Sequence, residues 1–494
     1  MWSVCYLVVL VGLSAYGIHR YSIIYLFLKH RKTTPKPVKE FETLPVVTVQ
    51  LPIFNEYYVT RRLLEAVSRL DYPRELLQIQ VLDDSTDETT DIAAAEVEKL
   101  QAKGFDVTLC HRVNREGFKA GALAEGMNDA RGEFIFILDA DFVPPPDVLK
   151  KCIHFFNDPE IGMVQTRWGH INRDHSLLTK VQAMFLDGHL LLEQTARSRS
   201  GRFFNFNGTA GMWRRSCIED AGGWEHDTLT EDLDLSYRAQ LRGWKFLFLP
   251  DVIVPAELPM DINGFKSQQH RWTKGSIQTC LKLLPAVWRE KLPFLIKLEA
   301  TMHLTSNFGY LLLVLLCILI LPHSQAAHGG PWQTILVDVP IFLATTVSIA
   351  IFYMVAQRHL NPKGWMKDML HLPMLLALAI GMSVNNARGV LEAMFKRQSE
   401  FTRTPKYGQG ATPSRQRTVR YLPIRSLLPL IEILFAIYFS YCTWGAIMSG
   451  AWSSVPFLLL FLVGFAYVAS QSIGFWIQQI GSLLAPPARA AEGA

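Results

Sequence analysis

The run EFIFILDADF, Glu133 to Phe142, decides how this chain is read. Apolar residues from Phe134 to Leu138 end abruptly in Asp139 and Asp141. A short run rich in aromatic and β-branched residues is a strand, and alternate side chains of a strand share a direction, so both carboxylates leave its end on the same side. Comparable units precede it, each a β-rich run followed by a helical one. They are VVTVQLPIF (Val46 to Phe54) with a helix from Glu56, IQVLDD (Ile79 to Asp84) with a helix from Thr86, and DVTLCHR (Asp106 to Arg112) with KAGALAEGMNDA (Lys119 to Ala130). The punctuation predicts an α/β domain with a doubly wound, mostly parallel sheet between Leu44 and about Leu258. Ligands of such sheets bind beyond the carboxyl ends of the strands. Acidic clusters stand at those places: Asp83 and Asp84 end one strand, Asp139 and Asp141 end another, and Thr230-Glu231-Asp232 opens the helical run EDLDLSYRAQLRG.

Outside this region the chain turns apolar. Of its 494 residues 49% are hydrophobic and 19% charged, which excludes a disordered protein. The 7 cysteines are scattered without CxxC spacing, so neither a zinc module nor a disulfide framework is expected. A net charge of +5 is small for this length and does not signal nucleic acid. Apolar segments of membrane-spanning length lie at Val4 to Leu28, Leu298 to Leu321, Ile335 to Ala356, Leu427 to Ser449 and Val455 to Ile477. Lys29, His30, Arg31 and Lys32 follow the first, so its downstream side is read as cytosolic. The loop His323 to Thr334 carries no Lys or Arg, whereas Lys396 to Arg425 is strongly basic; these place the first outside and the second inside. Met369 to Val384, with its amphipathic continuation Asn385 to Phe395, is then expected along the cytosolic interface. The resulting topology has five spans, an outer N-terminus and an inner C-terminus, with six spans as the alternative.

The carboxylates point to transfer from a phosphorylated donor. Asp139 and Asp141 can hold Mg²⁺ or Mn²⁺, which keeps coordination sites for a diphosphate leaving group. Displacement at an anomeric carbon also needs a base for the acceptor hydroxyl; Asp232 is the candidate, with Glu231 as substitute. Lys119 could meet phosphate. Gln268, Arg271 and Trp272, in GFKSQQHRWTKG, add a planar cation for diphosphate and a ring for stacking on a sugar. Each has a plainer explanation: helix caps for Asp84, Ser85 or Thr86, a helix-dipole acid for Asp232, and a membrane-interface helix for the last group.

Taken in order, Asp83/Asp84, Asp139-x-Asp141, Thr230-Glu231-Asp232 and Gln268-x-x-Arg271-Trp272 form the D, DxD, TED, QxxRW series, and with it the chain resembles the processive family 2 glycosyltransferases of the cellulose synthase superfamily. FNFNGTAGMWR (Phe204 to Arg214) makes it most similar to the cellulose-synthase-like A and C proteins, which build β-mannan and β-glucan backbones, and to their bacterial relatives. The resemblance implies a GT-A-type cytosolic domain inserted between transmembrane helices. Its layout is an anchor (1–32), the catalytic domain (44–260), interfacial helices (261–295), a transmembrane hairpin with an interfacial helix (296–395), a gating loop (396–426) and a C-terminal hairpin (427–482). It implies nucleotide-sugar binding by Asp83, Asp84, Glu56, Lys119, Arg271 and Gln268, a divalent metal on Asp139 and Asp141, and Asp232 as base beside Glu231. Trp272 would stack under the acceptor, Asn207, Gly208 and Thr209 would line its site, and FTRTPK (Phe401, Arg403, Thr404 and Lys406 within it) would be a gating loop, Arg403 replacing the family's Val. Bacterial cellulose synthase subunits carry a cyclic di-GMP-binding domain after the last span; only a short tail follows Ile480, so regulation by that nucleotide is not expected.

The implied activity is inverting, processive β-hexosyl transfer from UDP-glucose, with GDP-mannose as second candidate donor, and export of the polymer across a membrane, the bacterial inner membrane being favoured. Its partners would be the nucleotide sugar, the growing polysaccharide, membrane lipid and export proteins, with no nucleic acid. Glu299, His303 and Asn307 are candidate channel residues. A non-processive glucosyltransferase acting on ceramide or diacylglycerol is the alternative, and a non-catalytic export subunit stands further off.

Overall fold

The computed structural model describes residues 2–326, 339–397, 406, 408 and 427–484. Its centre is a seven-stranded sheet in the order β3-β2-β1-β4-β6-β5-β7. The strands are β1 (Val47–Ile53), β2 (Leu77–Asp83), β3 (Asp106–His111), β4 (Phe134–Ile137), β5 (Ile161–His170), β6 (Gly211–Arg214) and β7 (Lys245–Ala256). Neighbours run parallel from β3 through β4 and between β5 and β7, while β6 is antiparallel to both β4 and β5. The expected mostly parallel sheet is therefore present, with one reversed strand. β6 lies inside FNFNGTAGMWR, whose glycines give it no strand-like pattern in the sequence.

Alternation along β4 fixes the two layers around the sheet. Phe134 and Phe136 pack with Val47, Val49 and Leu63 on one face; Ile135 and Ile137 pack with Leu123, Trp213 and Leu235 on the other. The first face is covered by α2 (Thr60–Val67) and α3 (Thr89–Ala102), the second by α4 (Phe118–Asp129) and the helix Glu231–Leu241. Asp139 continues the parity of Ile135 and Ile137, and so emerges on the side of α4 and of the helix that begins at Glu231.

Two helices start later than the sequence suggested. Asn55, at φ 54°, turns the chain after β1, and its Oδ1 accepts from Thr86 N at 2.8 Å, tying the two strand-to-helix loops together before either helix begins. Ser85 and Thr86 serve this loop junction, Asp84 holds Arg112, and none of the three caps α3.

Around the sheet domain, among the described residues, four helices are long and apolar enough to cross a membrane: Val4–His30 within α1 (Trp2–His30), Val339–Leu360, Leu428–Met448 and Val455–Gly474. Bent pairs, Phe294–Thr305 with Phe308–Leu321 and Trp365–Gly381 with Ser383–Met394, raise the number to six if each is one span. Polar groups inside these helices are answered by protein: His19 Nε2 meets Glu299 Oε2 at 2.9 Å, and Arg20 donates to Ser348 Oγ at 2.8 Å.

Candidate active site

A cavity opens at the carboxyl ends of β1, β2 and β4. Of the residues singled out above, it is lined by Glu56, Asp84, Lys119, Asp139, Asp141, Asn207, Gly208, Glu231, Asp232, Gln268, Arg271, Trp272 and Lys406. Segments from across 350 residues of sequence thus converge on one hollow.

The two halves of the acid series are positioned by different means. Asp139 N donates to Thr209 Oγ1 at 2.8 Å, so Thr209 braces the DxD turn from behind and does not line the cavity. Lys119 Nζ lies 2.5 Å from Asp139 Oδ1 and 2.9 Å from Gly208 O. Lys406 Nζ lies 2.5 Å from Asp141 Oδ2. Both DxD carboxylates therefore face the cavity and each already attracts a cationic group, an all-oxygen arrangement that suits a hard divalent cation. Asp139 and Asp141 would hold Mg²⁺ or Mn²⁺, which when bound neutralises charge developing on a diphosphate leaving group.

Asp83 and Asp84 part ways. Asp83 is fully buried, accepting from Ser85 N at 3.1 Å and Thr90 Oγ1 at 2.7 Å and meeting His111 Nδ1 at 2.8 Å; it is absent from the cavity wall. Asp84 reaches the wall, held by a bidentate Arg112 (2.7 and 2.6 Å). Of the run FTRTPK only Lys406 is placed; Phe401, Arg403 and Thr404 lie outside the described residues.

The helix Ile262–Arg289 carries Gln268, Arg271 and Trp272 and begins where Asp261 Oδ1 accepts from Gly264 N at 2.8 Å. It lies directly on the Thr230-Glu231-Asp232 turn. A Cβ on Gly275 would sit 2.8 Å from Thr230 N, and Gln278 Oε1 accepts from Leu229 N at 2.9 Å. This close approach sets Arg271 among Glu231, Asp139 and Asp232; burial draws its pKa down while those acids hold it up, and an arginine there remains a cation. Asp232 is the opposite case. Burial and the neighbouring Glu231 push its carboxyl up to about 7, despite the Leu233 N–H and Lys119. A carboxylate poised near neutrality is suited to receive a proton.

Several contributors carried no sequence signal of their own. Arg62 donates to Asp141 O at 3.2 Å and to Glu257 Oε1 at 2.5 Å, tying β7 to the DxD turn. Trp168 stands 6.4 Å from the Trp272 ring. Glu299 and His303 are engaged in buried contacts, Glu299 with Arg197 and His19, His303 Nδ1 with Tyr237 Oη at 2.8 Å. Glu299 therefore does not snorkel to a helix end.

The site can be compared with known proteins. Glucomannan 4-beta-mannosyltransferase 2 of Arabidopsis thaliana is 33% identical over 474 residues, covering 90% of this chain and 83% of that protein. A family model described as "Glycosyltransferase like family 2" matches residues 45–275. The chain belongs to glycosyltransferase family 2. Glucomannan 4-beta-mannosyltransferase 1 of Oryza sativa subsp. japonica is 43% identical over 269 residues, 53% of this glycosyltransferase and 51% of that protein. Among solved structures, a mannosyltransferase from Pyrobaculum calidifontis in complex with GDP-Man and Mn2+ superposes with a TM-score of 0.56 at 20% identity, covering 80% of this chain and 100% of that one. At that identity the likeness shows a shared GT-A-type fold. The glycosyltransferase domain matched by the family model ends within the helix Ile262–Arg289, just past Trp272.

Proposed function

We propose that this enzyme is a processive, inverting β-mannan-type synthase that takes mannose from GDP-mannose, adds it to the growing end of a polysaccharide and passes the product through its own helices. The observation that carries the reading is the convergence of Asp139, Asp141, Asp232, Arg271 and Trp272 on one cavity roofed by a helix that continues toward the apolar bundle. In it Asp84, Glu56, Lys119 and Gln268 would contact the nucleotide sugar and Arg271 its diphosphate. Asp232 would take the acceptor hydroxyl's proton while that oxygen attacks the anomeric carbon and the diphosphate leaves. Asp83 would act behind Asp84, as a support for the strand end. Trp272 would stack under the acceptor's terminal sugar, and Phe401, Arg403, Thr404 and Lys406 would close over bound nucleotide.

The relatives' names, and a fold neighbour holding GDP-Man, move GDP-mannose ahead of the UDP-glucose that the motifs alone favoured. Export is supported by the placement of the cavity against the helix Ile262–Arg289, whose Lys266 and Lys274 pair with Glu432 and Glu392 of later helices. The five-span topology with a cytosolic catalytic domain and a plasma or bacterial inner membrane location belongs to the same proposal, as do export partners.

The test is incorporation of radiolabel from GDP-mannose and, separately, UDP-glucose by purified protein in proteoliposomes with Mn²⁺ or Mg²⁺. Ethanol-insoluble label from GDP-mannose, released by β-mannanase, is the expected result. Label from UDP-glucose alone would move the donor, and label only in the organic phase would replace the polymer with a glycolipid.

A further inference from the structure

Asn207 stands in the cavity wall beside Gly208, whose added Cβ would lie 2.9 Å from Asp232 Oδ2. Its side-chain oxygen is occupied: Gln194 Nε2 donates to Oδ1 at 2.8 Å, Asn205 Nδ2 at 3.0 Å, and His189 Nε2 faces it at 3.4 Å. The direction of these bonds is fixed independently. Gln194 Nε2 also points at the Asn205 carbonyl (3.2 Å) and Asn205 Nδ2 at the Phe206 carbonyl (3.0 Å), and carbonyls only accept. The Asn207 amide is therefore held one way round, and its Nδ2, buried, has no partner among the described residues. A buried donor left unpaired next to a substrate cavity is costly to the fold unless a ligand answers it.

The residues doing the holding occupy an irregular stretch. Gly188–Glu193 is a π-helical turn, followed directly by the helix Gln194–Arg199. Glu193 Oε2 meets His189 Nδ1 at 2.9 Å and accepts from Arg197 at 3.0 Å, and Arg197 Nε donates to Glu299 Oε1 at 2.9 Å, which leads to His19 in α1. The His189 ring is thereby braced from the side opposite Asn207.

We propose that His189 and Gln194 are positioning residues of the acceptor site, holding the Asn207 amide so that Nδ2 donates to an oxygen of the acceptor's terminal sugar while that sugar's attacking hydroxyl meets Asp232. The proposal rests on the polysaccharide reading. It requires that loss of these residues weaken the acceptor and spare the donor.

The experiment uses full-length protein in detergent, with β-1,4-mannooligosaccharide as varied acceptor at saturating GDP-mannose, and displacement of a fluorescent GDP to read donor affinity. Asn207→Asp keeps the accepting oxygen and removes the donor. It should raise the acceptor KM about tenfold, the worth of one hydrogen bond lost to an unpaired group, with a much smaller fall in kcat and GDP affinity unaltered. His189→Ala and Gln194→Leu should move the same parameter by about threefold to tenfold on the same reasoning, and His189→Gln, whose amide nitrogen reaches the Nε2 position, should recover it. An unchanged acceptor KM in Asn207→Asp, or GDP affinity falling in step in His189→Ala and Gln194→Leu, overturns the proposal alone. Wild-type protein that transfers to no oligosaccharide from either nucleotide sugar overturns the polysaccharide reading, and the proposal with it.

Discussion

The raised carboxyl of Asp232 links rate, pH and stability in one residue. As the proposed base it must be ionised, so kcat/KM, which reports the free enzyme, should fall about tenfold per pH unit below a limb near 7, the value to which burial and Glu231 push it. Glu231→Gln removes the like charge and should move that limb to lower pH. Asp232→Asn should lower kcat by about 10²–10⁴, the usual worth of a positioned base. Stability should move the other way. An aspartate whose pKa rises from 3.8 to about 7 on folding resists ionisation in the native state. No penalty exists below the unfolded value, it accrues as pH climbs from there, and it is complete above about 7. About 1.4 kcal/mol per pH unit makes this on the order of 4 kcal/mol, an upper figure because water reaches part of the side chain. Asp232→Asn should therefore raise the melting temperature at pH 8 and leave it unchanged near pH 4. Scanning fluorimetry at both pH values, alongside rate profiles from pH 5.5 to 8.5, checks the argument. A flat rate profile across that range, or an Asn variant whose melting temperature at pH 8 does not exceed that of the unsubstituted protein, would refute it.

Gly208 sits at φ 82°, and an added methyl would meet Asp232 Oδ2 at 2.9 Å; Gly208→Ala should cost about 100-fold in kcat through displacement of the base, while circular dichroism shows the fold intact. Lys266 and Glu432 are an ion pair 2.7 Å apart at 6% and 0% exposure, so Glu432→Leu alone should destabilise by about 3–5 kcal/mol and Lys266→Met with Glu432→Leu should recover most of it, read as thermal unfolding in detergent. Chelation should abolish transfer and Mn²⁺ restore it, and Asp141→Asn should raise the Mn²⁺ concentration needed for half-maximal rate by at least about tenfold, measured by metal titration.

The first four strands and the acid series were legible because both are local signals: β4 announces itself by an apolar run, and carboxylates at strand ends need only parity to be aimed, whereas β5, β6 and β7 lie outside the β-rich runs that stand out in the sequence. Thr230-Glu231-Asp232 and Gln268-x-x-Arg271-Trp272 were also visible, but their contact through Gly275 was not, since a glycine in a helix carries no mark of what lies against it. The division of labour within Asp83-Asp84 was equally hidden; adjacent residues at a strand end point opposite ways, and only the arrangement of His111, Thr90 and Arg112 shows which one faces the cavity. His189 and Glu193 belong to no motif that stands out in the sequence, and the π-helical turn Gly188–Glu193 that places them carries no local sequence mark. The apolar segments at Leu298 and Met369 read as continuous runs, whereas the chain bends by 57° and 41° at short breaks near polar residues.

The helix Ile262–Arg289 also dictates an order of manufacture. The sheet and its acids are complete by Ala256, so most of the cavity can form while the ribosome is still working. The roof is different: Lys274 meets Glu392, and Lys266 meets Glu432 and Ser472, partners translated long after Trp272. Until those later helices enter the bilayer, two ammonium groups destined for burial have nothing to neutralise them, and the helix bearing Arg271 and Trp272 has no fixed seat. A nascent chain thus holds the acidic strand ends before the helix bearing Arg271 and Trp272 is seated, and the cavity is complete only when the last apolar helices are in place.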